Sequence, residues 1–178
     1  MGAVGGASYT ILPAAPEHVG TLPDIERSAD SRFGSQVPPQ VLGRVIPIPV
    51  LEAAQRAGHL WVALPPDGTP VGFALVEPSG TRLHLEGLAV VPEYGRRGIG
   101  TALVSAVGHW AKFRGFAELT LTTYVDFPWN ADYYAKIGFE PVLEGDLDAE
   151  MLRRLETEDA LGLQRARRIA MRKRLPAG

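Results

Sequence analysis

The segment from Leu88 to Leu103 constrains the fold more than any other part of this chain. Its apolar run stops at Pro92, a glycine- and arginine-rich turn follows, and from Ile99 onward apolar residues recur every three or four positions, as on one face of a helix. Glycines let backbone N–H groups come close to a ligand, and the first N–H groups of a helix have no internal acceptor and lie at its positive end. The segment therefore predicts a strand, a turn and a helix, with a phosphate-bearing ligand at the helix start and Arg96 and Arg97 as cationic donors beside it.

The composition restricts the class of protein. The 178 residues suffice for one domain with a sizeable core, and the formal net charge of -2 provides no field that would attract nucleic acid or an anionic membrane. The chain has no cysteine, which excludes disulfides, thiolate zinc sites and a cysteine nucleophile. No apolar run approaches membrane-spanning length, and residues 1–8 lack the regions of a signal peptide. We therefore expect a flexible tail over 1–8, a single domain over 9–176 and a cytoplasmic location, with no metal, membrane or nucleic-acid partner.

The first half of the chain predicts a strand, two helices joined by a loop, and a β-hairpin closed by a Pro-Pro-Asp-Gly turn. These elements are a strand over 9–12, a helical segment within 16–33, a Pro- and Gly-rich loop over 34–49, a helix over 50–57, and hairpin strands over 60–64 and 71–76. In the first helical segment, four apolar residues share one face: Val19, Leu22, Ile25 and Ala29.

The second half predicts a strand into the glycine-rich turn, a long helix that ends at Gly115, and further strands and helices. They are strands over 82–91, 118–124 and 139–142, a short helix over 131–137, an acidic, solvated helix or loop over 146–159, and an edge strand over 167–175. The sum is a mixed α/β sheet with helices packed on it.

Two phosphate-binding motifs fit the turn poorly. A nucleotide phosphate loop needs Gly-Lys followed by Ser or Thr, and this turn has no lysine. A dinucleotide fingerprint needs a third glycine after Gly98 and Gly100, where this chain has Leu103. Glu118 lies at about the right distance for a ribose contact, but the hairpin-rich first half does not resemble a doubly wound sheet.

A third motif fits better. The pattern Val90-x-Pro92-x-x-Gly95-x-Arg97-Gly98-x-Gly100-x-x-Leu103 resembles the acetyl-CoA-binding motif of the GCN5-related N-acetyltransferases (GNAT family). About thirty residues downstream, Asn-Ala-Asp-Tyr-Tyr-Ala-Lys-Ile-Gly-Phe over 130–139 resembles the second signature of that family. The predicted element order also resembles the family fold over residues 9–175, so the resemblance implies a GNAT-like α/β (α+β mixed) fold. That fold has a central mixed, mostly antiparallel sheet with a splayed strand pair and flanking helices.

The resemblance also implies a cofactor site for acetyl-CoA. The pantetheine arm would pair with the strand backbone over 88–90, and the pyrophosphate would meet the turn and helix start over 95–101. The residues so implied are Leu88, Ala89, Val90, Gly95, Arg96, Arg97, Gly98, Ile99, Gly100, Thr101 and Asn130. The family usually has Gln or Arg in place of Gly95, and because that position acts mainly through its backbone, we expect binding to persist.

Asn130 carries a second interpretation, as the N-cap of the helix over 131–137. The cofactor-contacting Asn of the family usually lies about seven residues before the tyrosine. Here the spacing is four, and Phe127 occupies the usual place. This spacing favours the capping role.

In the family, an amine attacks the thioester directly. An alkylamine with a pKa near ~10.4 is mostly protonated at neutral pH, so a general base is needed, and a general acid protonates the leaving thiolate. The resemblance assigns the acid to Tyr134, which matches the family position of that acid. Packing in the core is its alternative role, for which Tyr133 and Ile137, four apart on one helical face, are the better candidates. Glu86 is the candidate base, with a solvated or ion-paired role as the alternative, and His84 or a water chain could replace it.

The sequence thus predicts an N-acetyltransferase that moves acetyl from acetyl-CoA to a primary amine of a small molecule or peptide. The alternative is a non-catalytic acyl-CoA-binding or regulatory domain of the same fold. Substrate contacts are expected from 33–57 and 126–130, which carry few charges, and Phe127 and Trp129 either line the substrate pocket or pack. The basic run over 165–174 is predicted to be an exposed strand face rather than a nucleic-acid site, and a homodimer is left open.

Overall fold

The structure, a computed structural model, describes residues 8–176, so the predicted tail lies outside the described residues except for Ser8. Within this part of the chain, seven strands form one sheet. They are β1 Thr10–Pro13, β2 Leu60–Leu64, β3 Gly72–Ser79, β4 Arg82–Val90, β5 Glu118–Tyr124, β6 Glu140–Pro141 and β7 Arg168–Arg174. Their order in the sheet is β1-β2-β3-β4-β5-β7-β6. β4 and β5 are parallel, whereas β1–β2, β2–β3, β5–β7 and β6–β7 are antiparallel.

Six α-helices accompany the sheet in residues 8–176. They are α1 Leu22–Asp30, α2 Pro39–Leu42, α3 Ile48–Ala57, α4 Ile99–Phe113, α5 Ala131–Lys136 and α6 Ala149–Ala160. The predicted mixed, mostly antiparallel α/β fold is confirmed. None of these helices combines the length and hydropathy that crossing a bilayer requires.

The loop predicted over 34–49 is wrong in part, because α2 and the first two residues of α3 lie within it. Prolines suggested a loop, yet Pro39 opens α2 and Pro49 is the second residue of α3. In the first turn of a helix a missing N–H removes no intrahelical bond, so proline is compatible with a helix start.

The strand at the end of the chain is not the predicted edge strand. β7 lies between β5 and β6, with Tyr124 paired to Arg168 on one side and Glu140 paired to Arg172 on the other. Arginines alternating with apolar residues suggested a solvated face. Instead, the Arg168 side chain is only 9% exposed and its Nη2 lies 3.1 Å from Glu158 Oε1 on α6. Arg168 on β7 is therefore paired inside the protein rather than solvated.

The acidic stretch predicted over 146–159 forms the amphipathic helix α6. The Asp148 carboxylate accepts hydrogen bonds from the backbone N–H groups of Glu150 and Met151, both at 3.0 Å, and so caps the helix start. Met151 and Leu155 are buried. Part of this stretch is therefore core rather than solvated.

The described residues divide into two compact units. The first comprises the described residues of 1–32, 44–77 and 86–107, and the second comprises 33–43, 78–85 and 108–176. In the first unit, the four apolar residues predicted on one helical face are all buried in its core: Val19, Leu22, Ile25 and Ala29. The second unit has two smaller apolar clusters, one around α6 and β7 and one around Tyr124 and Phe127.

The parallel pairing of β4 and β5 is short. It runs from Arg82 opposite Glu118 to His84 opposite Thr120, within the second unit, whereas β5 continues to Tyr124. This short register agrees with the predicted splayed strand pair.

Candidate active site

The glycine–arginine turn, residues 92–98, follows β4 in the first unit. Pro92–Tyr94 form a short 3-10 turn, and Gly95 N donates to Pro92 O at 2.9 Å. A Cβ at Gly95 would lie 3.0 Å from Pro92 O, tighter than ordinary contacts, so glycine suits this position. Because the Gly95 N–H donates to Pro92 O, it is not available to a ligand. Gly95 therefore contributes to a ligand site by allowing the tight turn.

Two further residues of this turn adopt the left-handed conformation. Gly98 has φ +78, which glycine adopts without steric conflict. Arg96 has φ +57, which costs an ordinary L-residue roughly 1–2 kcal/mol. Sequence reasoning gave no signal for this conformation of Arg96. Residues 95–98 are all exposed, so the turn presents two cations and the backbone of its glycines to solvent.

The helix start lies directly behind this turn. Ala102 N donates to Gly98 O at 2.9 Å, so the first turn of α4 begins after Gly98, as predicted. Ile99 is 1% exposed and anchors this turn in the core, while Gly100 adds no side chain. An α-helix cannot pair the N–H groups of its own first turn, which lie at the positive end of the helix dipole. This geometry suits an anion.

Arg97 has a fixed neighbour in the turn. Its guanidinium lies 5.0 Å from the centre of the Tyr94 ring, a cation–π contact that orients the side chain. Because an aromatic ring carries no net charge, this contact orients the Arg97 guanidinium without neutralising its positive charge.

Of the three β4 residues predicted to meet the pantetheine arm, one is buried. Ala89 is buried in the core of the first unit, whereas Leu88 and Val90 are half-buried. A Cβ on Gly72 would lie 2.9 Å from Ala89 O, so only glycine fits there. The end of β4 is therefore packed closely through its backbone on the β3 side.

Glu86, the candidate base, lies on β4 with an exposed side chain. Next to it, a Cβ on Gly87 would lie 2.9 Å from Ile46 Cδ1, so the missing side chain lets Ile46 pack onto the strand. Ile46 N in turn donates to Glu26 Oε2 of α1 at 2.7 Å. The residue pattern did not reveal this arrangement.

Glu26 is a titratable group that sequence reasoning missed. Burial raises the pKa of its carboxyl from 4.5 to about 7, despite the hydrogen bond from Ile46 N and the nearby Arg27 guanidinium. One turn later, burial raises the pKa of Asp30 to about 6. Both carboxyls therefore titrate near neutral pH in the first unit.

His84 lies in the second unit and is buried. Its Nδ1 is 2.9 Å from Thr120 Oγ1, in a hydrogen bond whose donor depends on the tautomer. Burial, with the Arg154 charge, lowers the pKa of His84 to about 3. The ring is therefore neutral at physiological pH, and its conjugate acid is too strong for it to take a proton readily from an ammonium group.

Tyr134 lies on α5 in the second unit. Its ring meets Tyr133 at 5.1 Å and Phe139 at 5.6 Å between centroids, and its backbone N donates to Asn130 O at 3.0 Å. Tyr133, Tyr134 and Ile137 are all half-buried, so burial does not separate core from site among them. The role of Tyr134 remains a prediction.

Asn130 occupies the N-cap position of α5, as predicted, but its side chain makes no capping hydrogen bond. The backbone groups of Asn130 form hydrogen bonds instead. Asn130 N donates to Phe127 O at 3.0 Å, and the Asn130 carbonyl accepts from Tyr134 N. The cofactor role of the Asn130 side chain stays a prediction.

Phe127 and Trp129 belong to an aromatic cluster in the second unit, which we define as Phe33, Tyr124, Phe127 and Trp129. Phe33 lies 4.9 Å from Phe127, 5.8 Å from Tyr124 and 6.2 Å from Trp129 between ring centres. Tyr124 and Phe127 are 4% and 2% exposed. The sequence named Phe127 and Trp129 but missed Tyr124, whose position at the end of β5 was the available signal.

The basic run over 165–174 is largely matched by the protein itself. Arg167 Nε lies 2.6 Å from Asp126 Oδ2, Arg165 pairs with Glu144 at 2.6 Å, and Lys173 Nζ donates to Ile137 O at 2.8 Å. The exposed arginine face predicted for this run is thus occupied in part by internal pairs. Within residues 8–176, no group of three or more His, Asp or Glu side chains is placed to hold a metal ion.

Comparison with known proteins gives a family match over most of the chain. Residues 23–139 match the family model described as "Acetyltransferase (GNAT) family". An aminoglycoside N(6')-acetyltransferase type 1 of Klebsiella aerogenes is 35% identical over 97 residues, which cover 50% of this chain and 64% of that protein. The match thus spans less than two thirds of that relative's length.

Solved structures share the fold at low identity. The PaiA N-acetyltransferase of Thermoplasma acidophilum, solved in complex with coenzyme A, has a TM-score of 0.69 and 18% identity, covering 94% of this chain and 99% of that chain. An acetyltransferase of the GNAT family from Staphylococcus aureus Mu50 has a TM-score of 0.70 and 18% identity, covering 95% of this chain and 100% of that chain.

Proposed function

Because this chain belongs to the acetyltransferase (GNAT) family, we propose that it transfers an acetyl group from acetyl-CoA to a primary amine. The observation that carries the proposal is the geometry of the glycine–arginine turn at the start of α4. Gly98 is left-handed, Ile99 anchors the helix, and Arg97 is oriented on Tyr94. This is an anion site of the kind that the pyrophosphate of CoA requires.

The cofactor contacts follow from that geometry. The first-turn N–H groups of α4 and the guanidinium groups of Arg96 and Arg97 donate to the pyrophosphate oxygens. Leu88 to Val90 offer backbone groups to the amides of the pantetheine arm. The proposed set is completed by the remaining turn residues and by Asn130: Gly95, Gly98, Ile99, Gly100, Thr101 and Asn130.

The reaction needs a neutral amine. Its nitrogen attacks the thioester carbonyl carbon, the C–S bond breaks, and the CoA thiolate leaves. Glu86, directly or through water, takes the proton that the ammonium form or the attacking nitrogen gives up. Glu86 suits this role better than His84, because Glu86 is exposed on β4 whereas His84 is buried and has a pKa of about 3.

Tyr134 is the proposed acid. Its phenol gives its proton to the departing thiolate, which keeps the sulfur from attacking the new amide. The backbone bond from Tyr134 N to Asn130 O and the ring contact with Phe139 hold the tyrosine in place on α5.

A pair of matched variants tests the turn. Arg97 and Arg114 each lie over an aromatic ring, at 5.0 Å from Tyr94 and 5.3 Å from Trp110 respectively. We expect Arg97→Ala to raise the Kd for acetyl-CoA about 3- to 10-fold, because a charge-assisted bond to phosphate is lost. Arg114→Ala at the far end of α4 should leave it unchanged. Isothermal titration with acetyl-CoA measures both.

Two measurements on the wild-type protein distinguish an enzyme from a binding domain. Acetyl-CoA should raise the melting temperature, and a panel of primary amines should release free CoA thiol. Stabilisation by acetyl-CoA with no thiol release from any amine would leave only a non-catalytic acyl-CoA-binding domain. No stabilisation by acetyl-CoA would remove the proposal itself.

A further inference from the structure

The aromatic cluster contains two polar atoms that the protein does not satisfy. The Tyr124 hydroxyl and the Trp129 Nε1 are both buried, and neither has a hydrogen-bond partner among the described residues. Tyr124 as a residue is only 4% exposed. The large majority of buried polar side-chain atoms in native proteins have a partner, and an exception calls for an explanation such as a bound water, an ion or a ligand.

Both atoms carry a hydrogen that they can donate. An indole N–H can only donate. Burial raises the pKa of the Tyr124 hydroxyl, so the phenol keeps its proton at physiological pH. The group that would satisfy the pair is therefore a hydrogen-bond acceptor, such as a carbonyl or hydroxyl oxygen.

Two guanidinium groups next to the cluster restrict the charge of any ligand that binds there. The Arg168 guanidinium lies 4.7 Å from the Tyr124 ring centre, and Arg167 lies 5.2 Å from the centres of both Tyr124 and Phe127. The ring faces that would attract a cation are thus already in contact with guanidinium groups. An uncharged, flat or aromatic group with an oxygen is compatible with this setting, whereas an ammonium group is repelled.

The cluster is linked directly to the segment that carries Tyr134. Phe127 O accepts from Asn130 N, and Asn130 O accepts from Tyr134 N, both at 3.0 Å. One pair of backbone bonds therefore connects the aromatic cluster to the first turn of α5.

We propose that the aromatic cluster of Phe33, Tyr124, Phe127 and Trp129 binds the body of the acceptor amine. That body carries an aromatic ring, which packs against the half-buried rings of Phe33 and Trp129, and an oxygen, which accepts from Tyr124 and Trp129. The amino group stays outside the cluster. This assignment rests on the proposed acetyl transfer. It names the substrate class as a primary amine that carries an aromatic ring and a neighbouring carbonyl.

Access to the cluster involves residues 33–43. Val37 is 2% exposed and packs on Tyr124 and Phe127, while Val41 and Leu42 of α2 pack beside it. Outside this packing, Arg167 Nη1 donates to Gln36 O at 2.8 Å. Gly34, with φ +52 and ψ −137, adopts a backbone conformation open mainly to glycine. An acceptor that reaches the buried hydroxyl displaces this short segment.

Three acceptors separate the two parts of the proposal. L-Phenylalaninamide has the ring and the carbonyl, alaninamide lacks the ring, and 2-phenylethylamine lacks the carbonyl. With acetyl-CoA saturating, we expect the lowest KM for L-phenylalaninamide and a KM about 10-fold higher for each of the others. Equal KM values for all three would overturn the proposal.

Tyr124→Phe removes one hydroxyl and keeps the ring. We expect it to raise the KM for L-phenylalaninamide about 3- to 10-fold and to leave the KM for 2-phenylethylamine and the KM for acetyl-CoA unchanged. It should also raise the melting temperature by about 2–4 °C, because an unsatisfied buried hydroxyl is lost. A lower melting temperature with equal effects on both acceptors would assign Tyr124 a structural role and overturn the proposal.

A binding measurement separates this inference from the proposed reaction. L-Phenylalaninamide should change the intrinsic tryptophan fluorescence of the wild type and of Trp110→Phe, but not of Trp129→Phe. If this signal is present while no amine releases CoA thiol, acetyl transfer fails and the subsite stands. If glucosamine is acetylated with a KM insensitive to Tyr124→Phe and L-phenylalaninamide gives no signal, the subsite fails and acetyl transfer stands.

Discussion

The glycine–arginine turn and the aromatic cluster are built in opposite ways. The turn in the first unit lacks bulk: Gly95 and Gly98 carry no side chain, and both cations, Arg96 and Arg97, are exposed. The cluster in the second unit consists of bulky rings, and its polar atoms are buried. A ligand site made of backbone depends on φ and on helix geometry, whereas one made of side chains depends on which rings meet. A site made of backbone therefore tolerates changes of side chain, whereas a site made of side chains changes with each substitution.

Tyr134→Phe is expected to have the largest effect, because it removes the hydroxyl of the proposed acid and leaves the glycine–arginine turn unchanged. We expect kcat to fall about 100-fold or more, the usual contribution of a positioned acid. The Kd for acetyl-CoA should stay at the wild-type value. Tyr133→Phe, one residue away and in ring contact with Tyr134, is the matched control and should retain kcat. Unchanged turnover in Tyr134→Phe would remove the acid assignment.

Gly98→Ala tests the backbone side of the comparison. Gly98 and Gly115 both have left-handed backbones, at φ +78 and φ +81, at opposite ends of α4. Alanine in that conformation costs roughly 1–2 kcal/mol at either position, so both variants should melt about 2–8 °C lower. Only Gly98→Ala should raise the Kd for acetyl-CoA, by about 10-fold. Equal Kd values in the two variants would show that the turn acts in stability alone.

The two units also differ in how protons affect their stability. The folded chain keeps a proton on Glu26 between pH 4.5 and about 7, which the unfolded chain has already released. The stability from this group is therefore complete below pH 4.5 and is lost as the pH rises through about 7. His84 acts in the opposite direction: the unfolded ring takes a proton near pH 6.5 and the folded ring only near pH 3. Its contribution is present above pH 6.5 and declines on acidification.

Glu26→Gln gives the smallest expected effect. The amide oxygen can still accept from Ile46 N, but no charge is buried at high pH. We expect a melting temperature about 3 °C higher than wild type at pH 8, from about 1 kcal/mol after screening, and no difference at pH 4.5. Glu52→Gln on the exposed face of α3 is the control and should follow the wild type at both pH values. A gain that is equal at both pH values would contradict the proton linkage.

The same contrast explains what the sequence could predict. Strand–turn–helix order, the glycines and the buried face of Val19, Leu22, Ile25 and Ala29 are local patterns, and the fold they imply is confirmed. The left-handed Arg96 was not predictable, since non-glycine residues rarely adopt that conformation.

Contacts between distant parts of the chain escaped prediction as well. Ile46 on Gly87, the Glu26 bond to Ile46 N, and Phe33 beside Phe127 join residues tens of positions apart. The edge prediction for β7 failed for the same reason, because β6 pairs with β7 through Glu140 and Arg172, which lie far apart in the chain.

The position of β7 in the sheet also leaves one edge of β5 unpaired while the chain is being synthesised. β5 shares three register positions with the earlier strand β4, but all seven of its residues pair with β7, which begins about 44 residues later. At a synthesis rate of 5–20 residues per second, one edge of β5 waits about 2–9 s for its partner. An open strand edge is a template for pairing with other chains. Slow translation between residues 124 and 168 would therefore prolong the interval in which a nascent chain can aggregate.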